Sequence, residues 1–387
     1  MTKPLQGLLV LEFSQFLAAP SAGLKLADLG ARVIKIERPG KGEAGRQIAI
    51  KNLFVAGSSL VFHTINRNKE SYGADLKNPE DLACIRQLIA RADVMTHNFR
   101  GGVMEKAGLD YASVKQFNPR IIYATVSGYG NKGPWAAKPG QDLLIQSLSG
   151  LTWLSGTRHD GPVPFGLAVA DIFCGAHFTQ GILAALIKRG KTGQGSLVEA
   201  SLLESTLDLQ FEVLTTYFND GRQLPRRSAA KGTAHAYLSA PYGVYKTRDS
   251  YLALAMGNLL PLLSVLECTV PGVSEDALTW FTHRDELVAA ISQAVQTRTT
   301  AACLALLEPL GIWCAPVLDY RQLVQEEGYQ VLGMEQAVDL PGGGKLSTTR
   351  CPIRIDGQRL YAGKAAPQPG ADTGAINLEF GLKPLPL

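Results

Sequence analysis

Asp171 stands in the stretch GLAVADIFCGAHF, Gly166 to Phe178, and no Lys or Arg follows it until Lys188. An ionised carboxylate among Leu, Ala, Val, Ile and Phe is costly unless it is hydrogen-bonded, and desolvation raises its pKa. Read by itself, Asp171 is a helix N-cap. The chemical alternative needs an electrophile: a carboxylate can attack an activated acyl group and form a mixed anhydride. Neighbouring amide N–H groups would keep it ionised, and Gly175 with its small neighbours would leave room for a substrate. No other nucleophile competes, since no G-x-S-x-G turn and no recognisable Ser-His-Asp arrangement occurs.

A second set of residues suits phosphate. Arg38 precedes PGKGEAGR, and Asn98, Arg100 and Lys106 follow another apolar run. The turn LAAPSAG opens a helix whose first amides could receive an anion. It lacks G-x-G-x-x-G, which argues against a dinucleotide oxidoreductase. A solvated basic rim is the plain structural alternative for these cations.

Both sets need a frame to bring them together. LLVLEF (Leu8–Phe13), ARVIKIER (Ala31–Arg38), DVMTHNF (Asp93–Phe99) and RIIYATVSGYG (Arg120–Gly130) read as strands. DLACIRQLIARA (Asp81–Ala92) and MEKAGLDYASVKQF have helical spacing. Apolar strands separated by helices predict an α/β fold with a parallel sheet covered on both faces, and ligands then bind beyond the strands' carboxyl ends. An apolar helix is expected from Gly175 to Arg189, and SLVEASLLESTLDLQFEVLTTYF reads as a further strand-to-helix unit. The aperiodic, Gly-, Pro- and Arg-rich stretch Asn219–Gly243 is a linker or an active-site loop. VYKTRDSYLALAMG beyond it reads as a hairpin, with helices to about residue 310. Little regular pattern is expected in the tail beyond about residue 340.

Length and composition narrow the class. The chain has 387 residues, 46% hydrophobic and 19% charged, with a formal net charge of +4. That composition is globular, and so small a charge makes no case for nucleic acid. No apolar run nears the roughly 20 residues of a membrane span, and MTKPLQGLLVLEF reads as a first strand, not a leader. The six cysteines form no C-x-x-C pair and the six histidines no H-x-H or H-E-x-x-H spacing. The expectation is therefore a reduced, cytoplasmic protein with no metal site and no membrane partner.

Several ordered motifs together resemble one family. VIKIERPGKGEAGR, NRNKESYGADLKNPEDL, ADVMTHNFRGGVMEKAGLDY, NPRIIYATVSGYGNKGPW and GLAVADIFCGAHFTQGILAAL are similar to class III CoA-transferases, the formyl-CoA transferase and carnitine CoA-transferase (CaiB/BaiF) family. KTGQGSLVEASLLES, GIWCAPVLDYRQL and AAPQPGADT extend the resemblance along the chain. It implies a Rossmann-like large domain (residues 1–220), a smaller α+β domain (221–320) and a segment returning to the large domain (321–387). It also implies an interlocked homodimer, acyl-CoA and a small carboxylic acid as substrates, and no tightly bound cofactor. The family's catalytic aspartate falls on Asp171. Its CoA contacts fall on Leu17, Ala18, Arg38, Ala74, Asp75, Leu76, Lys77, Asn98, Phe99, Arg100 and Lys106, and on Lys138 and Gln141 in a later loop. The reaction so implied passes through aspartyl anhydrides and an aspartyl-CoA thioester.

Departures narrow the choice within the superfamily. α-Methylacyl-CoA racemases resemble G-H-D-x-x-Y here, whereas this chain has GQDLLIQ, and Gln141 cannot shuttle a proton at neutral pH. Asp142 reads as a cap or loop anchor. Leu17 and Ile48 stand where formyl-CoA transferases resemble Gln and Trp, and the glycine-rich GGGGQ loop is missing. These changes argue against formyl-CoA with oxalate and for a more apolar acyl pocket. Arg46, Lys231 and His235 could meet a second carboxylate, which favours a dicarboxylate such as succinate; a solvated loop is the alternative for each. Tyr129 and Trp135 could cover the acyl chain or pack in the core. A non-catalytic CoA-binding protein would have no need to keep Asp171.

Overall fold

A computed structural model of the chain describes residues 3–340 and 343–382. Two compact units emerge. One comprises Met1–Ile145, Ala168–Leu209 and Leu332–Leu387, the other Gln146–Leu167 and Gln210–Val331. The second unit thus takes in 146–167, which the sequence reading left in the large domain. Polar contacts distant in sequence hold this segment: Arg227 donates to the carbonyls of Ser155, Asp160 and Gly161, and Gln210 to that of Ser149. Periodicity carries no trace of such pairings.

In the larger unit six strands form one parallel sheet: β1 (Leu9–Glu12), β2 (Arg32–Glu37), β3 (Glu70–Gly73), β4 (Val94–His97), β5 (Ile122–Ser127) and β6 (Ser196–Ser201). Their order, β3-β2-β1-β4-β5-β6, is that of doubly wound dinucleotide folds, with the switch point between β1 and β4. Leu9 and Leu11 face one hydrophobic layer while Val10 faces the other, so both sides of the sheet are buried. The sequence reading found five of these strands and missed β3. Its residues, ESYG, carry no apolar run because it is an edge strand with only its two central residues buried.

Helices α1 (Ala18–Asp28), α2 (Pro79–Ile89), α3 (Asp142–Leu148), α4 (Val169–Thr192) and α5 (Leu202–Leu209) follow in chain order. The apolar helix foreseen from Gly175 begins six residues earlier, which puts Asp171 inside its first turn. A Cβ on Gly175 would lie 2.2 Å from Ser21 Oγ and 2.7 Å from the Ala18 carbonyl oxygen. The glycine therefore lets α4 press against α1 and leaves no opening for substrate, contrary to the room expected there. By length and composition α4 is also apolar enough to cross a membrane, which the sequence reading did not foresee. Its Ala170, Cys174, Phe178 and Ile182 are buried in the layer shared with α1, as in a core helix.

A buried ionic cluster lies under the carboxyl ends of β1 and β2. Glu12, Lys35 and Lys69 are fully buried. Lys69 Nζ lies 2.9 Å from both Glu12 oxygens, and Lys35 Nζ lies 3.1 Å from Glu12 Oε1 and 3.3 Å from Glu43 Oε1. Burial lowers the pKa of Lys69 to about 8 despite Glu12. Burial pulls Lys35 down too, but Glu43, Glu12 and Glu37 outweigh it and raise the net value.

The smaller unit has a three-stranded antiparallel sheet: β7 (Gly243–Lys246), β8 (Tyr251–Leu254) and β9 (Cys314–Pro316). β7 and β8 are the foreseen hairpin, and helices between Leu259 and Leu307 pack on it. The tail beyond residue 340 is more regular than expected: Lys345–Thr349 is a strand paired antiparallel with Glu335–Asp339 just before it, and Thr373–Phe380 is a helix. Tyr72 hydroxyl donates to Asn377, and Gly73 N–H to Thr373 Oγ1, so tail and edge strand stabilise each other.

Candidate functional site

The chain leaves β1 through Ser14–Leu17, and two side chains hold this turn. Asn98, just past β4, accepts from Gln15 N–H at 2.8 Å and donates to Gln15 carbonyl at 2.7 Å, imitating one rung of a ladder. Glu43 accepts from Phe16 N–H at 2.9 Å. Phe16 has φ +68°, unusual for a residue with a Cβ, so the neighbouring bonds fix a backbone that Phe would not choose. Lys35 beside Glu43 balances its charge. The buried cluster therefore shapes the switch-point turn.

Above that turn opens a cavity of about 990 Å³. Leu17, Ala18, Asn98, Phe99, Arg100, Lys138, Gln141 and Asp171 all line it. Arg38, Asp75, Lys77 and Lys106 are exposed, Ala74 is buried and Leu76 half-buried, and none of these six lines it. They occupy the same sheet rim beyond β2, β3 and β4. Asp75 there accepts from Lys77 N–H, and Leu76 packs on the core. Ser127 and Gly128, at the expected ligand-binding end of β5, line the cavity, whereas sequence reasoning missed Glu43, the wall of Val61, Phe62 and Ile65, and Thr125 and Val126 within β5. Glu43 offered one signal, an acid within a glycine-rich turn after a strand; the wall offered none.

Asp171 is half-buried and has no cap role, because Asp142 holds that place. Asp142 Oδ1 accepts from Ala170 N–H at 2.8 Å and from Asp171 N–H at 3.2 Å, while Ala168 at the N-cap makes no side-chain bond. The helix-opening amides expected to keep Asp171 ionised therefore serve Asp142. Among the described residues none donates a hydrogen bond to the Asp171 carboxylate. Burial, and secondarily the charge of Asp142, raises its pKa to about 7. A carboxylate so placed is basic and unmasked: it can act as base or nucleophile toward whatever fills the cavity.

Other expected contacts resolve differently. Arg46 is buried, bonds Glu37 through Nε at 2.9 Å and Nη2 at 2.5 Å, and stacks on Phe62, so it is structural and cannot meet a substrate carboxylate. Lys231 is exposed, and His235 Nε2 lies 3.3 Å from Glu212. Tyr129 and Trp135 pack against each other; Tyr129 also packs on the core layer shared by α1 and α4, Trp135 is 40% exposed, and neither lines the cavity. Arg100 and Lys138 are the cations among the cavity-lining residues, and no histidine is among them. No group of three or more metal-ligating side chains occurs among the described residues. The segment 220–242 belongs to the smaller unit.

A family model described as CoA-transferase family III matches residues 5–373. Succinyl-CoA:glutarate CoA-transferase of Mus musculus is 31% identical over 97% of this chain and 86% of its own length. Acetyl-CoA:oxalate CoA-transferase of Acetobacter aceti is 31% identical over 97% of this chain and 96% of its own. A crystal structure of a CAIB/BAIF family protein from Brucella suis superposes with a TM-score of 0.83 at 31% identity, covering 98% of this chain and 100% of that one.

Proposed function

This chain belongs to CoA-transferase family III, and from that premise we propose that it moves CoA from an acyl-CoA to a free carboxylic acid by way of Asp171. The observation that carries the reading is the Asp171 carboxylate itself, lining a large cavity at the switch point with no donor upon it. An oxygen of Asp171 attacks the thioester carbonyl, the C–S bond breaks, and CoA thiolate leaves a mixed anhydride. The thiolate then attacks the aspartyl carbonyl of that anhydride, releasing the first acid and leaving an aspartyl-CoA thioester. An acceptor carboxylate attacks the aspartyl carbonyl and displaces the thiolate to form a second anhydride. The thiolate then attacks the acceptor's acyl carbonyl, the bond to the Asp171 oxygen breaks, and the new acyl-CoA and the free Asp171 carboxylate result. Each step exchanges one activated acyl bond for another, so rate rests on orientation and on excluding water from the anhydride.

Arg100 and Lys138 would meet the phosphates of CoA, and the helix-opening turn at Leu17 and Ala18 its neighbouring groups. The acids in the relatives' names, glutarate and oxalate, are both dicarboxylates, which supports that class as substrate; Arg46 is no longer its ligand. A racemase would need a second acid–base group in the cavity, and Gln141 does not supply one. A homodimer, interlocked as the resemblance implies, accords with the helix Phe211–Asn219, which buries no residue and exposes Phe211 at 67% and Phe218 at 62%.

The test is CoA exchange between succinyl-CoA and labelled glutarate, with hydroxylamine trapping of the acyl-enzyme. Wild type should exchange label and lose activity to hydroxylamine with modification at Asp171. Asp171→Ala should fall by at least about 10³-fold, as expected when a covalent nucleophile is removed. Exchange by Asp171→Ala at the wild-type rate would overturn the mechanism.

A further inference from the structure

α4 begins without a cap of its own. Ala168 contributes no side-chain bond, and the carboxylate that receives the N–H groups of Ala170 and Asp171 arrives from Asp142, 29 residues before Asp171 and the first residue of α3. An acid in the first turn of a helix is ordinarily stabilised by those open amides and by the helix dipole. Here another acid has claimed them. Asp142 is absent from the cavity lining, so it does not itself meet a substrate there.

We propose that Asp142 is a positioning residue for Asp171: it clamps the first turn of α4 from outside the helix, takes the amides that would otherwise bond the neighbouring carboxylate, and sets a second negative charge beside it. The inference rests on Asp171 being the acyl carrier. An unbonded carboxylate beside a second anion is at its least stable when ionised. Acylation turns that carboxylate into a neutral anhydride or thioester and relieves the repulsion, so the same charge that destabilises the free nucleophile favours its acylated forms. The other titratable groups around Asp171 do not substitute for Asp142. Cys174, on the same helix, is pushed up to about 12 by burial and stays a neutral thiol. Glu43, on the cavity wall, is engaged by Phe16 N–H and Lys35. Glu204 accepts from Ser201 hydroxyl, and Arg100 and Lys138, which also line the cavity, are the proposed phosphate ligands.

Asp142→Asn separates the two roles, because the amide oxygen still accepts both N–H groups while the charge is gone. The measurement is the pH dependence of kcat/KM for CoA exchange, which reports ionisation in the free enzyme. The acid limb, placed near pH 7 in the wild type by Asp171, should move down by about half a unit or more in Asp142→Asn, with burial keeping it above the ordinary carboxylate range. Thermal melting should leave Asp142→Asn close to wild type and lower Asp142→Ala, and at high pH Asp142→Asn should recover most of the kcat that Asp142→Ala loses. Asp142→Ser is a second neutral cap should the amide fail to fold. Superimposable pH profiles for wild type and a folded neutral-cap variant would overturn the proposal. So would unfolding of both neutral caps, since the charge would then be serving the fold. Loss of exchange in Asp171→Ala with unchanged Asp142→Asn profiles would refute the positioning role alone, whereas full exchange in Asp171→Ala would refute the function beneath it.

Discussion

Asp171 carries a thermodynamic signature that its chemistry requires. Its pKa rises from 3.8 to about 7 in the folded chain, through burial first and the charge of Asp142 second. The folded state therefore holds a proton between these values that the unfolded state has released, so stability falls as pH rises from about 4 to 7 and stays low above. Asp171→Asn keeps the shape and removes the charge. It should stabilise the fold at pH 8 by about 1–3 kcal/mol, after allowing for solvent reaching a half-buried group, and by almost nothing near pH 4. Urea denaturation at the two pH values checks it, and an equal effect at both would remove the electrostatic account of this residue. Asp171 was legible in sequence because a lone acid in an apolar run is unusual. The loss of its amides to Asp142 was not, because a cap brought from another helix leaves no local pattern.

Elements place that carboxylate, and the α1–α4 contact does so most directly. Gly175 lies one turn beyond Asp171 and meets the Ala18 backbone at the very turn that lines the cavity. A methyl at this position would sit 2.7 Å from a carbonyl oxygen that cannot rotate away. Gly175→Ala should therefore tilt α4 off α1, cost about 1–3 kcal/mol of stability and lower kcat by on the order of 10²-fold, since a displacement near 1 Å suffices for that loss. Kinetics together with urea midpoints would test it; a full-rate variant would mean that this helix contact does not set the nucleophile. The strands bearing the site were readable from their apolar runs, and so was the rule that ligands lie beyond their carboxyl ends. The edge strand β3 and the excursion 146–167 were not, because tail contacts and distant hydrogen bonds define them. Arg46 misled for the same reason. An arginine in a glycine-rich turn reads as a ligand until its pairing with Glu37 is seen.

Across the large unit, the cluster of Glu12, Lys35 and Lys69 joins stability to site shape. Three charges with no exposure are held beneath a turn whose Phe16 adopts φ +68°, and Glu43 links cluster to turn. Surface pairs cannot do this. Arg32 with Glu379 is half open to water and should contribute no more than about 1 kcal/mol. Glu12 is different, because both of its oxygens bond Lys69 and one also bonds Lys35, and a buried ion left without its partner costs about 3–5 kcal/mol. Glu12→Gln should accordingly destabilise the large unit by about that amount, against at most about 1 kcal/mol for Arg32→Gln. It should also weaken CoA binding, because Lys35, freed from Glu12, would pull Glu43 away from Phe16 N–H. Denaturation midpoints and CoA titration on the two variants decide between a cluster that only fills the core and one that also sets the turn. A Glu12→Gln protein that is less stable yet binds CoA as wild type does would separate the core from the site.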